Sequence, residues 1–304
     1  MMKPTTVAEL AEAKRAIVEY GKRKGALAVG VASVEEIERI APPGHGPRDL
    51  FAGCRSVISV GVGGPTQGMW NAPPKVLASY GDSEKRAYSV AYGLSYFIES
   101  RLGYPAMFCP PDPDPESGTR VPLQSLKLHA ELAGIGARSI AGDILLHPEF
   151  GFMYYASCFT EIPLEADGPM AENPCPAPSC LTMYDRTGKT PCMSRCPVGC
   201  LHAVIVDGHV VESTYEMHKC ADMTQQYEAV PRLLADVFLE ERDPGRRQEK
   251  LYGTEAQDLF YRMAIGEGQL LGQCFECMRV CPVARRAPLA DTLRRRQAAA
   301  GGEA

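Results

Sequence analysis

The stretch Cys274-Phe-Glu-Cys277-Met-Arg-Val-Cys281-Pro282 decides how this sequence is interpreted. Its spacing is C-x2-C-x3-C followed by proline. In bacterial ferredoxins with two cubane clusters, the cysteine that precedes proline ligates the other cluster, while the cysteines before it hold their own. The stretch therefore predicts a [4Fe–4S] cluster that shares its ligands with a second cluster.

A second group of cysteines lies upstream and also ends in Cys-Pro, at Cys196-Pro197. Its members are Cys175, Cys180, Cys192, Cys196 and Cys200, and Cys220 follows alone. Two groups that each end in Cys-Pro predict two [4Fe–4S] clusters whose ligands are exchanged crosswise. A pair of zinc sites is the alternative, but zinc motifs rarely use this spacing or place proline after the last ligand.

Counting thiolates divides the cysteines between the two clusters, since each cubane requires four. One cluster is complete with Cys175, Cys180, Cys192 and Cys281. The other has Cys196, Cys274 and Cys277, and spacing alone leaves both Cys200 and Cys220 open as its fourth ligand. We expect the residues between Cys180 and Cys192 to form a looped insertion with its turn at 185–188.

Composition restricts the class of protein. The chain has 304 residues, 45% of them hydrophobic and 23% charged, which is ordinary for a globular protein. The longest apolar runs fall short of a membrane span and no secretory signal is evident, so we expect a cytoplasmic protein without a membrane partner. A net charge of −5 argues against a broad nucleic-acid surface, and we expect no nucleic-acid partner. The arginines at 285, 286 and 294–296 are interpreted as a basic, solvated C-terminal tail.

Periodicity indicates the fold of the first half. Helical patterns over 7–24 and 87–102 alternate with short apolar strands at 26–32 and 56–62, which is typical of a layered α/β arrangement. Composition then changes to Pro, Cys and Gly near Asp167. We therefore predict an α+β chain with an α/β domain over 1–167 and a ferredoxin-like, double-cluster domain over 168–304.

From Val29 to Pro282 the sequence resembles the epoxyqueuosine reductase group, which is related to the corrinoid-dependent reductive dehalogenases. The resemblance rests on the stretches 46–60, 133–136, 145–151 and 160–167, and on the cysteine motifs that follow them. It implies that Cys220, in His218-Lys-Cys220, is the missing fourth ligand. It also implies a cobalamin held between the two domains, supplied with electrons through the clusters by a low-potential donor such as a ferredoxin or flavodoxin.

The glycine-rich segment 133–142 is the candidate cofactor-binding segment. Gly134 and Gly136 allow the backbone to approach a ligand closely, and Arg138 has the geometry to meet a phosphate or carboxylate of a bound cofactor. Three further thiols, Cys54, Cys109 and Cys158, are interpreted as buried and unreactive core residues.

Departures from the family pattern lead us to predict a paralogue acting on another, small-molecule substrate. The family's Trp and Lys after the glycines are replaced, and its proton-donating aspartate aligns with Thr119, although Asp112 and Asp114 are close by. The resemblance also does not extend to the helical-repeat tail of the tRNA enzyme. The leading hypothesis is a cobalamin-dependent reductase. A cluster-only electron-transfer protein or subunit and a cobalamin-handling protein are the alternatives.

Overall fold

The structure is a computed structural model that describes residues 3–80, 84–109, 122–142, 144–225, 229–264 and 274–285. The α-helices are α1 Val7–Arg23, α2 Val34–Ile40, α3 Pro47–Leu50, α4 Gln67–Trp70, α5 Pro74–Tyr80, α6 Glu84–Phe97, α7 Leu126–Leu132, α8 Pro178–Thr187, α9 Pro191–Arg195, α10 Met217–Gln225, α11 Ala229–Ala235, α12 Pro244–Tyr252, α13 Thr254–Ala264 and α14 Glu276–Arg279. Two π-helical turns, Ile98–Leu102 and Asp236–Glu240, continue α6 and α11. The strands are β1 Ala28–Ala32, β2 Ser56–Gly63, β3 Ala106–Phe108, β4 Ala137–Arg138, β5 Leu145–His147, β6 Gly151–Thr160, β7 Leu201–Val206 and β8 His209–Tyr215.

A six-stranded sheet forms the centre of the first half. Its order is β1-β2-β6-β5-β4, and β3 also pairs with β6. Every pairing in the sheet is antiparallel. The predicted α+β class is confirmed, and the antiparallel pairing explains why the first half is a layered sandwich without the parallel βαβ units of doubly wound folds.

Helices cover both faces of this sheet, because the side chains of β6 alternate between two cores. On one face, Ala156 belongs to the same core cluster as Ile17 of α1 and Leu94 of α6. The opposite face packs Phe159 against Leu128 of α7. Each large apolar side chain that is fully buried in this way contributes about 1.5–3 kcal/mol. Both faces of β6 are covered, and all ten of its residues are buried.

The second half begins with irregular chain and contains a β7–β8 hairpin. Asp207 and Gly208 form its turn with positive φ values of 50° and 79°, as the Asp-Gly signal predicts. The looped insertion expected between Cys180 and Cys192 is wrong in detail. Most of it is helix α8, which ends where Gly188 adopts a left-handed conformation with φ of 67°.

Aromatic side chains join the two halves. The Trp70 ring packs edge-on against Phe275 with centroids 5.7 Å apart, and against Phe152 at 6.4 Å. The backbone N–H of Phe152 donates to the carbonyl of Ala284 at 3.0 Å. Because Phe275 directly follows Cys274, this contact holds the Cys274–Cys281 stretch against the end of the central sheet.

None of the helices among the described residues combines the length and apolar character needed to cross a membrane. Of the predicted basic tail, only Arg285 lies among the described residues, where its guanidinium donates to the Asn71 side-chain oxygen at 2.7 Å, and residues 286 onward lie outside them.

Candidate metal and cofactor site

Four cysteines distant in sequence line one small cavity, and we call them the first cysteine set. They are Cys175, Cys180, Cys192 and Cys281. Cys180 lies on α8, Cys192 lies on α9, and Cys281 follows α14. Burial, the largest cause, and the neighbouring thiols Cys281, Cys192 and Cys180 together raise the pKa of Cys175 to about 12. The structure thus brings together the four cysteines that the ligand count assigns to one cluster.

A second cysteine set lies beside the first and consists of Cys196, Cys220, Cys274 and Cys277. Cys277 interacts electrostatically with the other three, and also with Cys192 of the first set. Burial is the main reason that its pKa is raised. Cys274 likewise interacts electrostatically with Cys220 and Cys196. The two sets are therefore adjacent, and each draws residues from both cysteine groups of the sequence.

Cys196 is surrounded by donors that favour its thiolate. Burial acts to raise its pKa, but hydrogen bonds from Cys200 and from the backbone N–H groups of Val198 and Gly199 lower it overall. The Cys200 N–H donates to the Cys196 sulfur at 3.4 Å. A shell of N–H donors around a sulfur is suited to an anionic ligand, since hydrogen bonding to the charged form stabilises it.

Cys200 adds a fifth thiol to the second cysteine set. Its sulfur lies 3.4 Å from that of Cys196, and its side chain also hydrogen-bonds with Cys220. Burial and these two contacts raise the pKa of Cys200. Both Cys200 and Cys220 therefore lie close enough to be the fourth ligand of the second site. The geometry does not choose between them, and neither did the spacing in the sequence.

The donor chemistry of the two sets suits iron–sulfur clusters, because soft thiolates are the ligands that such clusters use. No disulfide joins any of the twelve cysteines, all of which lie among the described residues. Within the described part of the chain, no three His, Cys, Asp or Glu side chains converge in a way that could hold a single metal ion. Since most of the thiols in the two sets have raised pKa values, binding a cluster there would release protons.

A pocket of about 520 Å³ opens between the two halves, and we call it the interdomain pocket. Its volume is within the range of typical cofactor sites, and aromatic and aliphatic side chains make up much of its wall. It is lined by Glu84, Pro122, Gln124, Ser125, Leu126, Lys127, Arg138, Ile144, Leu145, Phe152, Met153, Tyr154, Tyr155, Tyr215 and Met217. The end of β6 supplies four of these residues, while Tyr215 and Met217 come from the cysteine-bearing half.

Two polar side chains in the interdomain pocket could orient a ligand. Arg138 is half-buried, and its Nε donates to Glu131 at 2.7 Å. Gln124 is almost completely buried and donates from Nε2 to the Gly46 carbonyl at 2.9 Å. Its Oε1 atom has no hydrogen-bond partner among the described residues. Because buried polar atoms are nearly always paired in native proteins, this oxygen is a candidate acceptor for a bound molecule.

The glycines of the candidate cofactor segment pack against the chain itself. Gly134 has a φ of +67°, and a Cβ atom there would lie 2.5 Å from the Gly168 carbonyl oxygen. A Cβ atom at Gly136 would lie 2.6 Å from the Tyr155 hydroxyl oxygen. Of the three predicted cofactor residues, Arg138 lines the interdomain pocket and the two glycines do not.

Tyr215 is a site residue that sequence reasoning missed. It is the last residue of β8, lines the interdomain pocket, and has a side chain hydrogen-bonded to Cys220. Burial and this hydrogen bond raise its pKa. The available signal was its position between a predicted hairpin and the His218-Lys-Cys220 motif, which brings a strand end close to a cluster ligand.

The three remaining thiols lie in the core, as predicted. Cys54, Cys109 and Cys158 are each no more than 1% exposed. Burial raises the pKa of Cys54 to about 11 and raises the pKa values of the other two as well. Thr119, Asp112 and Asp114, the residues considered for proton donation, lie outside the described residues.

Comparison with known proteins identifies similar structures. No protein-family model and no curated protein sequence matches the chain. Epoxyqueuosine reductase from Bacillus subtilis matches with a TM-score of 0.53 and 19% identity, over 91% of this chain and 66% of that one. The enzyme from Streptococcus thermophilus matches with a TM-score of 0.51 and 18% identity, over 90% of this chain and 66% of that one. The present chain thus spans about two thirds of the length of these enzymes.

A third match corrects one expectation from the sequence. It is an epoxyqueuosine reductase bound to an epoxyqueuosine-modified tRNA stem loop, with a TM-score of 0.52 and 19% identity, over 91% of this chain and 66% of that one. The expectation that excluded nucleic-acid partners is therefore wrong. Net charge is a property of the whole molecule, and a local binding surface does not require an overall positive charge. The resemblance drawn from the cysteine motifs is confirmed at the level of structure, and the chain has the fold of the epoxyqueuosine reductases.

Proposed function

We propose that this protein is a corrinoid-dependent reductase carrying two [4Fe–4S] clusters. The observation that carries the proposal is the position of the interdomain pocket. Tyr215 lines this pocket and contacts Cys220 of the second cysteine set. A cofactor in the pocket would therefore lie next to a cluster ligand, with one bridging side chain between them.

The protein's own residues would have distinct roles in this reductase. The first and second cysteine sets would hold the clusters, and Cys220 would be the fourth ligand of the second. Arg138 and the Oε1 atom of Gln124 would bind polar groups of the corrinoid, while Phe152 and Tyr154 cover its apolar surface. The corrinoid supplies the low-potential cobalt chemistry, and the protein positions it and excludes water. A ferredoxin or flavodoxin is the proposed electron donor.

Solved structures with this fold support the reductase class, because two of them are epoxyqueuosine reductases. The substrate is the part of the proposal that needs direct assay. An epoxyqueuosine-modified tRNA stem loop is the first substrate to test, since one such structure holds it. Its turnover by this protein would contradict the paralogue prediction that rests on Thr119.

Elemental analysis of the protein purified anaerobically tests the cofactor assignment. We expect about eight iron and eight inorganic sulfide ions per chain, the content of two cubanes. Zinc in their place would contradict the cluster assignment. Cob(II)alamin is then added to the cluster-loaded protein, and binding should change the absorption spectrum of the corrinoid.

The second candidate function is a cluster-only electron carrier. It is favoured by the loss of the family's Trp and Lys from the glycine-rich segment, where Ala137 and Ile140 now stand. Two full clusters without any spectral change at excess cob(II)alamin would support this candidate over the reductase.

A further inference from the structure

Tyr215 makes contacts on two sides that no other described tyrosine combines. Its hydroxyl is hydrogen-bonded to Cys220, and it lies close enough to Cys200 and Cys277 to interact electrostatically with both. Its ring borders the interdomain pocket and packs over Gly142, where a Cβ atom would lie 3.0 Å from the ring. Gly142 has a φ of +65°, so the backbone approaches this ring as only glycine allows without strain.

We propose that the Tyr215 hydroxyl donates a hydrogen bond to the Cys220 sulfur, that this bond raises the reduction potential of the second cluster, and that it couples the potential to what occupies the pocket. Tyr215 is a positioning residue in this role. The inference rests on the proposed function in one respect, because Cys220 must be a cluster ligand.

Electrostatics gives the direction of the effect. A reduced cluster carries one more negative charge than the oxidised cluster, and that charge is shared with the ligand sulfurs. A hydrogen-bond donor on a sulfur therefore stabilises the reduced state more, and hydrogen bonds to sulfur are among the determinants of cluster potential. Half-burial of the contact strengthens the effect, since hydrogen bonds are electrostatically stronger away from bulk water.

The reduction potential is coupled to the interdomain pocket because the Tyr215 ring, on its other side, borders that pocket. Strand pairing with Leu201 and the packing on Gly142 restrict where the ring can move. A ligand that presses on the ring from the pocket would therefore change the geometry of the hydroxyl at Cys220. The reduction potential of the second cluster would then depend on whether the interdomain pocket is occupied, although the ligand does not contact the cluster.

The effect of the hydrogen bond on the potential is tested by redox titration of the cluster-loaded protein in the absence of corrinoid. Electron paramagnetic resonance monitors the reduction of each cluster. Tyr215→Phe removes the hydroxyl and keeps the ring. We expect one of the two midpoint potentials to fall by about 59 mV, equivalent to a tenfold weaker preference for the reduced state, while the other stays unchanged. Equal potentials in the wild type and the variant would overturn the proposal.

Tyr104→Phe is the matched control. Tyr104 is a buried tyrosine, its hydroxyl donates to the Pro4 carbonyl, and it lines neither the interdomain pocket nor the cavity of the first cysteine set. Its removal should leave both potentials unchanged. If Tyr215→Phe loses iron, 3-fluorotyrosine at position 215 replaces it. Fluorine makes the phenol a stronger donor, so the same midpoint should then rise, and a fall or no change would overturn the proposal.

Adding cob(II)alamin tests the coupling. In the wild type we expect the sensitive midpoint to shift on addition, and in Tyr215→Phe we expect the shift to be lost. A shift of equal size in both proteins would overturn the coupling. Failure of the proposed function is distinguishable, because a protein that binds no cobalamin would still show the effect of Tyr215→Phe on the isolated clusters.

Discussion

At the scale of single residues, Cys200 and Cys220 compete for one position in the second cysteine set. Cys200 is 1% exposed and hydrogen-bonds with both Cys196 and Cys220. Spacing and contacts leave both thiols within reach of the second site, and the resemblance to the epoxyqueuosine reductases assigns the position to Cys220. Cys220 lies on α10 and approaches from a separate element.

We therefore expect Cys200→Ser to retain about eight irons per chain and Cys220→Ser to lose iron. Iron and sulfide analysis after anaerobic reconstitution measures both, and the two serine variants are matched in size and polarity. Loss of iron from Cys200→Ser with retention in Cys220→Ser would reverse the assignment of the fourth ligand.

His129 is a second residue with a measurable consequence. It is completely buried, its Nδ1 lies 3.1 Å from the Ser157 hydroxyl, and burial lowers its pKa to about 3. Between pH 6.5 and 3 the unfolded chain binds a proton at this histidine and the folded chain does not. Stability should therefore decrease as pH falls through this window, by about 2 kcal/mol from pH 7.5 to 5.

His129→Gln, which cannot titrate, isolates this contribution from those of the carboxylates. Urea midpoints of the cluster-loaded wild type and variant are compared at pH 7.5 and 5. The wild type should lose more stability than the variant on acidification. An equal loss in the two proteins would show that His129 takes up its proton without unfolding.

At the scale of elements, β6 shows what the sequence could not reveal. Its ten residues are all buried, so the strand lacks the apolar–polar alternation by which half-buried strands are recognised. Periodicity succeeded where one side faces solvent, as in α1, which begins at a Thr6–Glu9 capping box and ends before Gly25 with φ of 106°. Ligand spacing groups the cysteines in the sequence because the covalent demands of a cluster fix that spacing, and the assignment of each cysteine to a cluster stays a prediction. The resemblance implied a site between the two halves, but apart from Arg138 the residues that line the interdomain pocket were not predicted, because they come together only by packing between distant segments.

The turn after α7 provides a prediction at this scale. Gly134→Ala would place Cβ against the Gly168 carbonyl and force a left-handed conformation, which should cost about 2–5 kcal/mol in total. Gly103→Ala is the control, because Gly103 has a φ of +71° with nothing within 4 Å of a Cβ atom, and it should cost only about 1–2 kcal/mol. Urea unfolding of the two cluster-loaded variants measures the difference. Equal costs would mean that the contact with Gly168 relaxes freely.

At the scale of the whole molecule, the aromatic contact at Trp70 connects the cysteine sets to the central sheet. Trp70 is 2% exposed and touches Phe275, the neighbour of Cys274. The interdomain pocket borders the same junction through Phe152. Movement of one half relative to the other would therefore change both the pocket and the surroundings of Cys274 in the second cysteine set.

Arg138 tests whether the pocket between the halves is the corrinoid site. Its guanidinium is half-buried at the pocket wall and paired with Glu131. Arg138→Ala should weaken cob(II)alamin binding about tenfold, or 1.4 kcal/mol, in spectral titrations of the cluster-loaded protein. Glu131→Gln is the control, since it removes the partner charge and keeps the guanidinium in the pocket. If Glu131→Gln weakens binding as much as Arg138→Ala does, the ion pair supports the segment 137–138 and the arginine makes no direct contact with the corrinoid. If only Arg138→Ala weakens it, the guanidinium binds the cofactor itself, and a corrinoid that binds both variants as tightly as the wild type must lie elsewhere.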